Sequence, residues 1–167
     1  MKRHSVLAVV LCLPIVLFGG TCVVQDILFG INVEGRLKRA ADANSVELAI
    51  QEMDAVVTYL EVNHMTGGYT SILYRTPDED VGFWYQNLKS ALEELKRVRP
   101  ETTPLERTNI LMKLMETLID SGENGKSIIT IPRGIAVFPH NTLYCLWAIL
   151  GGITAIVGVV QAFLKSI

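Results

Sequence analysis

From Thr142 to Leu164 the chain reads TLYCLWAILGGITAIVGVVQAFL, an apolar run with no charged residue. A bilayer core of roughly 30 Å is crossed by about 20 helical residues, so this run is long enough to span it. Tyr144 and Trp147 stand near its entry, where amphipathic aromatic rings favour the membrane–water interface. A second apolar run extends from Val6 to Val24, with Pro14 near its middle, where a kink or a loosened helical hydrogen bond is expected. These two runs account for a chain of 167 residues that is 50% hydrophobic, with a mean hydropathy of +0.35. Between them lies the charge-bearing part, long enough to bury one modest core.

The charges that flank the runs set an orientation. Lys2 and Arg3 precede the first and Lys165 follows the second, which places both ends in the cytoplasm by the positive-inside rule. A long central loop translocates largely regardless of its own basic residues. The expected organisation is a cytoplasmic N-terminus at 1–4, a transmembrane helix at 5–25, an extracytoplasmic helical domain at 26–140, a transmembrane helix at 141–164 and a cytoplasmic C-terminus at 165–167. The central domain would be periplasmic or extracellular in a bacterium. A cleaved signal peptide is the rival reading of the first run, with small residues Gly19 and Thr21 before a cleavage site. The run continues through Val23 and Val24, which argues for an uncleaved span. Cys22 also invites a lipoprotein reading, which Gly20 and Thr21 fit poorly.

Small residues recur within the second run. Ala148, Gly151, Ala155, Gly158 and Ala162 fall at steps of three and four, on one helical face where another backbone can approach closely. The first run repeats this weakly with Ala8, Cys12, Gly19 and Cys22, interrupted by Ile15. Packing of the two runs on each other within one chain is the simpler use of such a face. Self-association or docking on another membrane protein is the alternative. Cys22 and Cys145 lie at similar depth in an antiparallel pair, and a disulfide between them needs a closeness that depth alone does not give.

In the centre, four amphipathic stretches predict helices. Phe29 or Gly30, Val33, Leu37, Ala40 and Ala41 continue helical spacing out of the first run. Asn44 and Glu47 form a capping-box start for the stripe Val46, Ala49/Ile50, Met53, Val56/Val57 and Leu60. Thr76-Pro77-Asp78-Glu79 starts a helix with Val81, Trp84/Tyr85, Leu88, Ala91/Leu92, Leu95 and Val98 on its apolar face. Thr103-Pro104-Leu105-Glu106 starts the last, with Leu111/Met112, Met115 and Leu118/Ile119, stopping at Ser121-Gly122. Tyr69–Tyr74, Ser127–Ile131 and Ile135–Phe138 read as extended, the last two around a Pro132-Arg133-Gly134 turn. The fold class expected is therefore a mainly α membrane protein, with two terminal transmembrane helices flanking a small extracytoplasmic helical bundle with a minor β element.

Functional signals are sparse. The charges are mixed and sum to −2, so no basic footprint suggests nucleic acid. His64 follows Glu61, with Asp78-Glu79-Asp80 further on, and one histidine with scattered acids is thin for a metal; a solvated helix end explains it better. Gly67-Gly68 and Gly122-x-x-Gly125 read as helix stops and turns. Lys96, Arg97 and Arg99 cluster at a helix C-terminus, where they complement the dipole. No nucleophile elbow or phosphate loop is found, so neither an enzyme nor a cofactor is expected. Phe83, Trp84 and Tyr85 are the densest unusual segment: three consecutive aromatics span some 200° of helix and cannot all face one core. Trp and Tyr dominate interface hot spots, which makes these the partner-interface residues to test. The expected partners are the lipid bilayer and another membrane protein or a second copy. The function expected is that of a membrane-anchored interaction protein, an accessory or scaffold subunit of a membrane or envelope complex. The alternative is an extracytoplasmic ligand-binding or sensory module acting through a partner.

Overall fold

The computed structural model describes residues 2–99, 101–121 and 127–164, with side chains withheld at 2–6, 8, 121 and 127. The flanking charges Lys2, Arg3 and Lys165, the small residue Ala8, and the Gly122–Gly125 turn lie outside these described residues or side chains. The protein is mainly helical with one two-stranded sheet, and two helical stretches, Val9–Ala41 and Asn141–Leu164, are long and apolar enough to cross a membrane. It divides into two units, Met1–Ile27 with His140–Ile167, and Leu28–Pro139.

The first unit is built from α1 (Lys2–Phe29), up to Ile27, and the last helix of the chain, Asn141–Leu164. Their contacts run in opposite directions along the two helices. Phe18 meets Tyr144 and Trp147, with ring centroids 6.1 and 5.9 Å apart, while Pro14 and Ile15 meet Trp147 and Gly151. The pair is therefore antiparallel. Cys12, Cys22 and Cys145 are all free thiols, so Cys22 and Cys145 are not bridged.

The second unit opens with a π-helical turn, Gly30–Glu34, closed by a hydrogen bond from Gly35 N to Gly30 O, and α2 (Gly35–Ala41). The turn has a cause in the sequence. Phe29, Val33 and Leu37 are spaced by fours, and on a regular helix each such step drifts about 40° around the axis. A widened turn offsets that drift, and all three side chains are buried.

α3 (Val46–Val62) is capped by Ser45, whose hydroxyl accepts from Leu48 N at 3.3 Å. The cap is thus one residue later than Asn44, because Ser45 is the residue with extended backbone. The helix ends in a Schellman arrangement: Met65 N donates to Leu60 O and His64 N to Glu61 O, with His64 left-handed at φ 58°. The stop is His64, not Gly67-Gly68, and buried Met65 supplies the accompanying apolar contact.

The next helix starts in two steps. Thr76 opens a short 3₁₀ turn, Pro77–Glu79, and α4 (Val81–Lys96) begins only after extended Asp80, whose carboxylate accepts from Phe83 N at 2.9 Å. α5 (Pro104–Leu118) has the full capping box expected of Thr103 and Glu106. Hydrogen bonds from Thr103 to the Glu106 carboxylate hold its pKa below the ordinary value. The buried face of α5 is Leu114 and Leu118, while Met112 and Met115 are exposed. Leu118 is buried as expected, and Leu111 and Ile119 pack against the core. Ile-Leu-Met-Lys-Leu-Met presents apolar residues on nearly every side, so spacing alone took Met112 and Met115 where Leu114 is the buried residue.

The β element matches expectation in one strand, Ser127–Ile129, which lies within the extended stretch Ser127–Ile131, and differs elsewhere. α5 ends at Leu118, and Ile119 enters β1 (Ile119–Ser121), which pairs antiparallel with β2 (Ser127–Ile129) in the register Ile119 to Ile129. Tyr69 makes one isolated bridge to Asp80, with no strand through Tyr74. Ile135–Val137 is a 3₁₀ turn after left-handed Gly134, and it buries Ile135 and Phe138 on one side, which alternation cannot do. The helix of the first unit that closes the chain becomes α6 (Asn141–Leu164).

Candidate functional site

The three aromatics of α4 have different fates. Trp84 is 7% exposed and Tyr85 4%, both within the core of the second unit, while Phe83 is 65% exposed. The Trp84 indole N–H donates to Thr130 O at 2.8 Å, which ties the chain just beyond β2 to α4. The Tyr85 hydroxyl donates to Glu61 Oε1 at 2.6 Å, and Lys89 Nζ approaches the same hydroxyl at 3.4 Å. Burial, followed by the bond to Glu61, raises the tyrosine pKa; the same bond lowers that of Glu61, and the bond to Tyr85 raises that of Lys89. A protonated tyrosine between a carboxylate and an ammonium fastens α3 to α4. A raised phenol pKa suits a hydrogen-bond donor, not a base.

Phe83 borders a groove of about 770 Å³ lined also by Tyr69, Arg75, Asp78, Asp80, Trp84, Asp120 and Pro132. The guanidinium of Arg75 lies over the Tyr69 ring, 5.3 Å from its centroid. One wall is the segment from Tyr69 to Asp80, whose Leu73 and Tyr74 are strongly exposed, and the other is the hairpin and the chain after it. Gly82, in the first turn of α4, lies against the Gly67-Gly68 turn, where an added Cβ would stand 3.4 Å from Gly67 Cα.

The other sequence-selected residues take structural places. His64 occupies the helix-stop position described above and is exposed. Among the described residues no group of three histidines, cysteines or acids converges as metal ligands would. Lys96 pairs with Asp54 of α3 at 2.6 Å and Arg97 with Glu93 at 3.7 Å. In the first unit, Gly151 and Gly158 are buried, Ala148 and Ala155 half-buried, and Ala162 exposed. A Cβ on Gly151 would lie 3.3 Å from Ile15 N and 3.4 Å from Ile15 Cα. The Trp147 indole donates to Pro14 O at 3.1 Å. This stretch of the small-residue face is used within the chain, and Ile15, which interrupts the corresponding face of α1, is the residue it packs upon.

One buried charge escaped the sequence reading. Glu52 is 5% exposed and accepts from Arg36 at 3.1 Å and from Arg39, joining α2 to α3. The signal was present: Glu52 falls on the apolar stripe between Ala49 and Met53, where an acid needs a cation.

No protein-family model, curated protein or solved structure matches this chain.

Proposed function

We propose that this protein is a membrane-anchored interaction protein, an accessory or scaffold subunit, whose folded domain lies on the non-cytoplasmic side. The observation that carries the reading is Phe83: a large aromatic, two-thirds exposed, at the rim of an open groove in the folded unit. Exposed aromatics beside a groove are what interface hot spots are made from. Trp84 and Tyr85 support it from below, by fixing the helix on which Phe83 stands. Two helices of membrane-crossing length and the placement of Lys2, Arg3 and Lys165 support the anchoring and the orientation. The partner is another membrane protein or a second copy.

A second reading, an extracytoplasmic ligand-binding or sensory module acting through a partner, is favoured by one observation. The π-helical turn Gly30–Glu34 follows the apolar part of α1, and such turns recur at functional sites. The two are separated by purifying the tagged full-length chain from native membranes in mild detergent. A stoichiometric protein partner, or a defined homo-oligomer, is expected. Recovery as a monomer alone would contradict the subunit reading, and the intact mass reports whether the first span is retained.

A further inference from the structure

Resting on the reading that the chain is anchored in a membrane, we infer that the loop Ile72-Leu73-Tyr74 dips into the bilayer surface as a third membrane contact. Leu73 is 85% exposed, Tyr74 78% and Ile72 45%. Single apolar side chains are common on surfaces, but three in succession at a loop tip call for a cover. The loop has a built shape. Tyr74 N donates to Ser71 Oγ at 3.1 Å, and the base is closed by Thr70 N to Glu79 O at 3.0 Å and Val81 N to Gly68 O at 2.9 Å. The cation of Arg75 is held back at the base, over the Tyr69 ring.

What covers the loop follows from its place in the domain. α2 and α3 are antiparallel: Arg36 and Arg39 meet Glu52, while Asn32, earlier in the chain, shares a groove with Tyr59, Val62 and Asn63 at the end of α3. The end of α3 is therefore level with Asn32, three residues after α1 ends at Phe29. The loop hangs from that end. A second route leads to the same place. A Cβ on Gly68 would stand 3.4 Å from the Phe138 ring, and Phe138 lies three residues before α6 begins at Asn141, a reach of at most about 10 Å of chain. The loop thus springs from the end of the domain at which both apolar helices join it, and exposed Val62 lies at that end too. Leucine and isoleucine suit the acyl boundary, and a tyrosine ring suits the headgroup level. Asp78 and Glu79 follow the loop and repel anionic headgroups, so the contact is apolar and a zwitterionic surface suits it best.

The test places the full-length chain, with Cys12, Cys22 and Cys145 replaced by alanine, in phosphatidylcholine nanodiscs. A nitroxide is attached through Tyr74→Cys, Leu105→Cys or Val16→Cys, and its collisions with oxygen and with a water-soluble nickel chelate are measured. Leu105 is exposed at the start of α5, beyond the far end of α4, and Val16 is exposed on α1. The label at 74 is expected to meet the chelate about threefold less often than the label at 105, as interfacial burial requires. Leu73→Asp should return it to the level at 105, because a carboxylate is expelled from the apolar boundary. Raising salt should leave the protection unchanged, since no ion pair makes it. Thermal unfolding checks that Leu73→Asp remains folded. Equal chelate access at 74 and 105, or protection that Leu73→Asp leaves in place, would overturn the inference. Protection found in native membranes but not in the discs would put a protein partner in place of lipid and overturn it as well. The label at 16 separates the two readings. Chelate access there would remove the anchoring and the loop contact together; oxygen access at 16 with a water-exposed label at 74 would remove the loop contact alone.

Discussion

The two units of this protein use opposite physical means to hold helices together. In Leu28–Pro139 the helices meet through large side chains: Leu37, Met53, Leu60 and Leu95 are fully buried, and removal of apolar surface from water is the driving force. In the α1–α6 pair the outward surfaces are themselves apolar, as Val16, Leu17, Ile153 and Val159 show. On the proposed reading the pair lies in lipid, where side-chain burial of that kind gives little drive. What fixes the pair is a glycine against a backbone, an indole bonded to a carbonyl, and three touching rings. Truncation should therefore weaken the domain, and enlargement should weaken the α1–α6 pair.

The largest effect sharpens this contrast from the domain side. Met53→Ala should destabilise the folded domain by about 2–5 kcal/mol, read by denaturant unfolding of the full chain in micelles. Enlargement breaks the other side. Gly151→Ile should cost the α1–α6 pair about 1–3 kcal/mol of overpacking. Gly152→Ile, where an added Cβ meets nothing within 4 Å, should leave it intact. Crosslinking between cysteines placed on the two helices reads both, and equal behaviour of the two glycines would remove the close-packing account. Trp147→Phe keeps a ring but loses the bond to Pro14 O, a loss of about 1 kcal/mol in the same assay.

A smaller effect separates the units by pH. The folded pKa of Glu61 lies below its ordinary value of 4.5, so its contribution is present above that value and fades as pH falls through the lower folded one. Glu61→Gln should flatten the acid limb of domain unfolding at that end and leave helix crosslinking in the first unit unchanged. The smallest change is a gain: His64→Gly relieves a left-handed side chain and should stabilise the domain by about 0.5 kcal/mol, after the added entropy of glycine is subtracted. A loss of stability would show that His64 makes a contact beyond the helix stop.

Legibility in the sequence follows the same division. Helical stripes such as Val46–Leu60 and Val81–Leu95 were readable because burial imposes a period, and burial follows it there. The apolar ends were readable from length alone. Where several faces are apolar, as around Met112 and Met115, period cannot choose between them. The β2 half of the hairpin was readable in the extended stretch Ser127–Ile131, while its partner β1 was hidden because Ile119 satisfies a helical and an extended reading equally well. The helical stripe already placed Trp84 and Tyr85 on the apolar face and left Phe83 off it; what the sequence hid were the partners that hold those two rings, Thr130 and Glu61, distant in sequence. The groove was invisible for the same reason: Tyr69, Asp80 and Asp120 come together only through the fold.

The central claim is a chain anchored at both ends with its domain outside the cytoplasm. It is tested most directly by labelling intact cells with a membrane-impermeant maleimide. The chain would carry Leu105→Cys, a position 70% exposed in the domain, with Cys12, Cys22 and Cys145 replaced by alanine. Labelling before lysis is the result predicted; labelling only after the membrane is opened would contradict it.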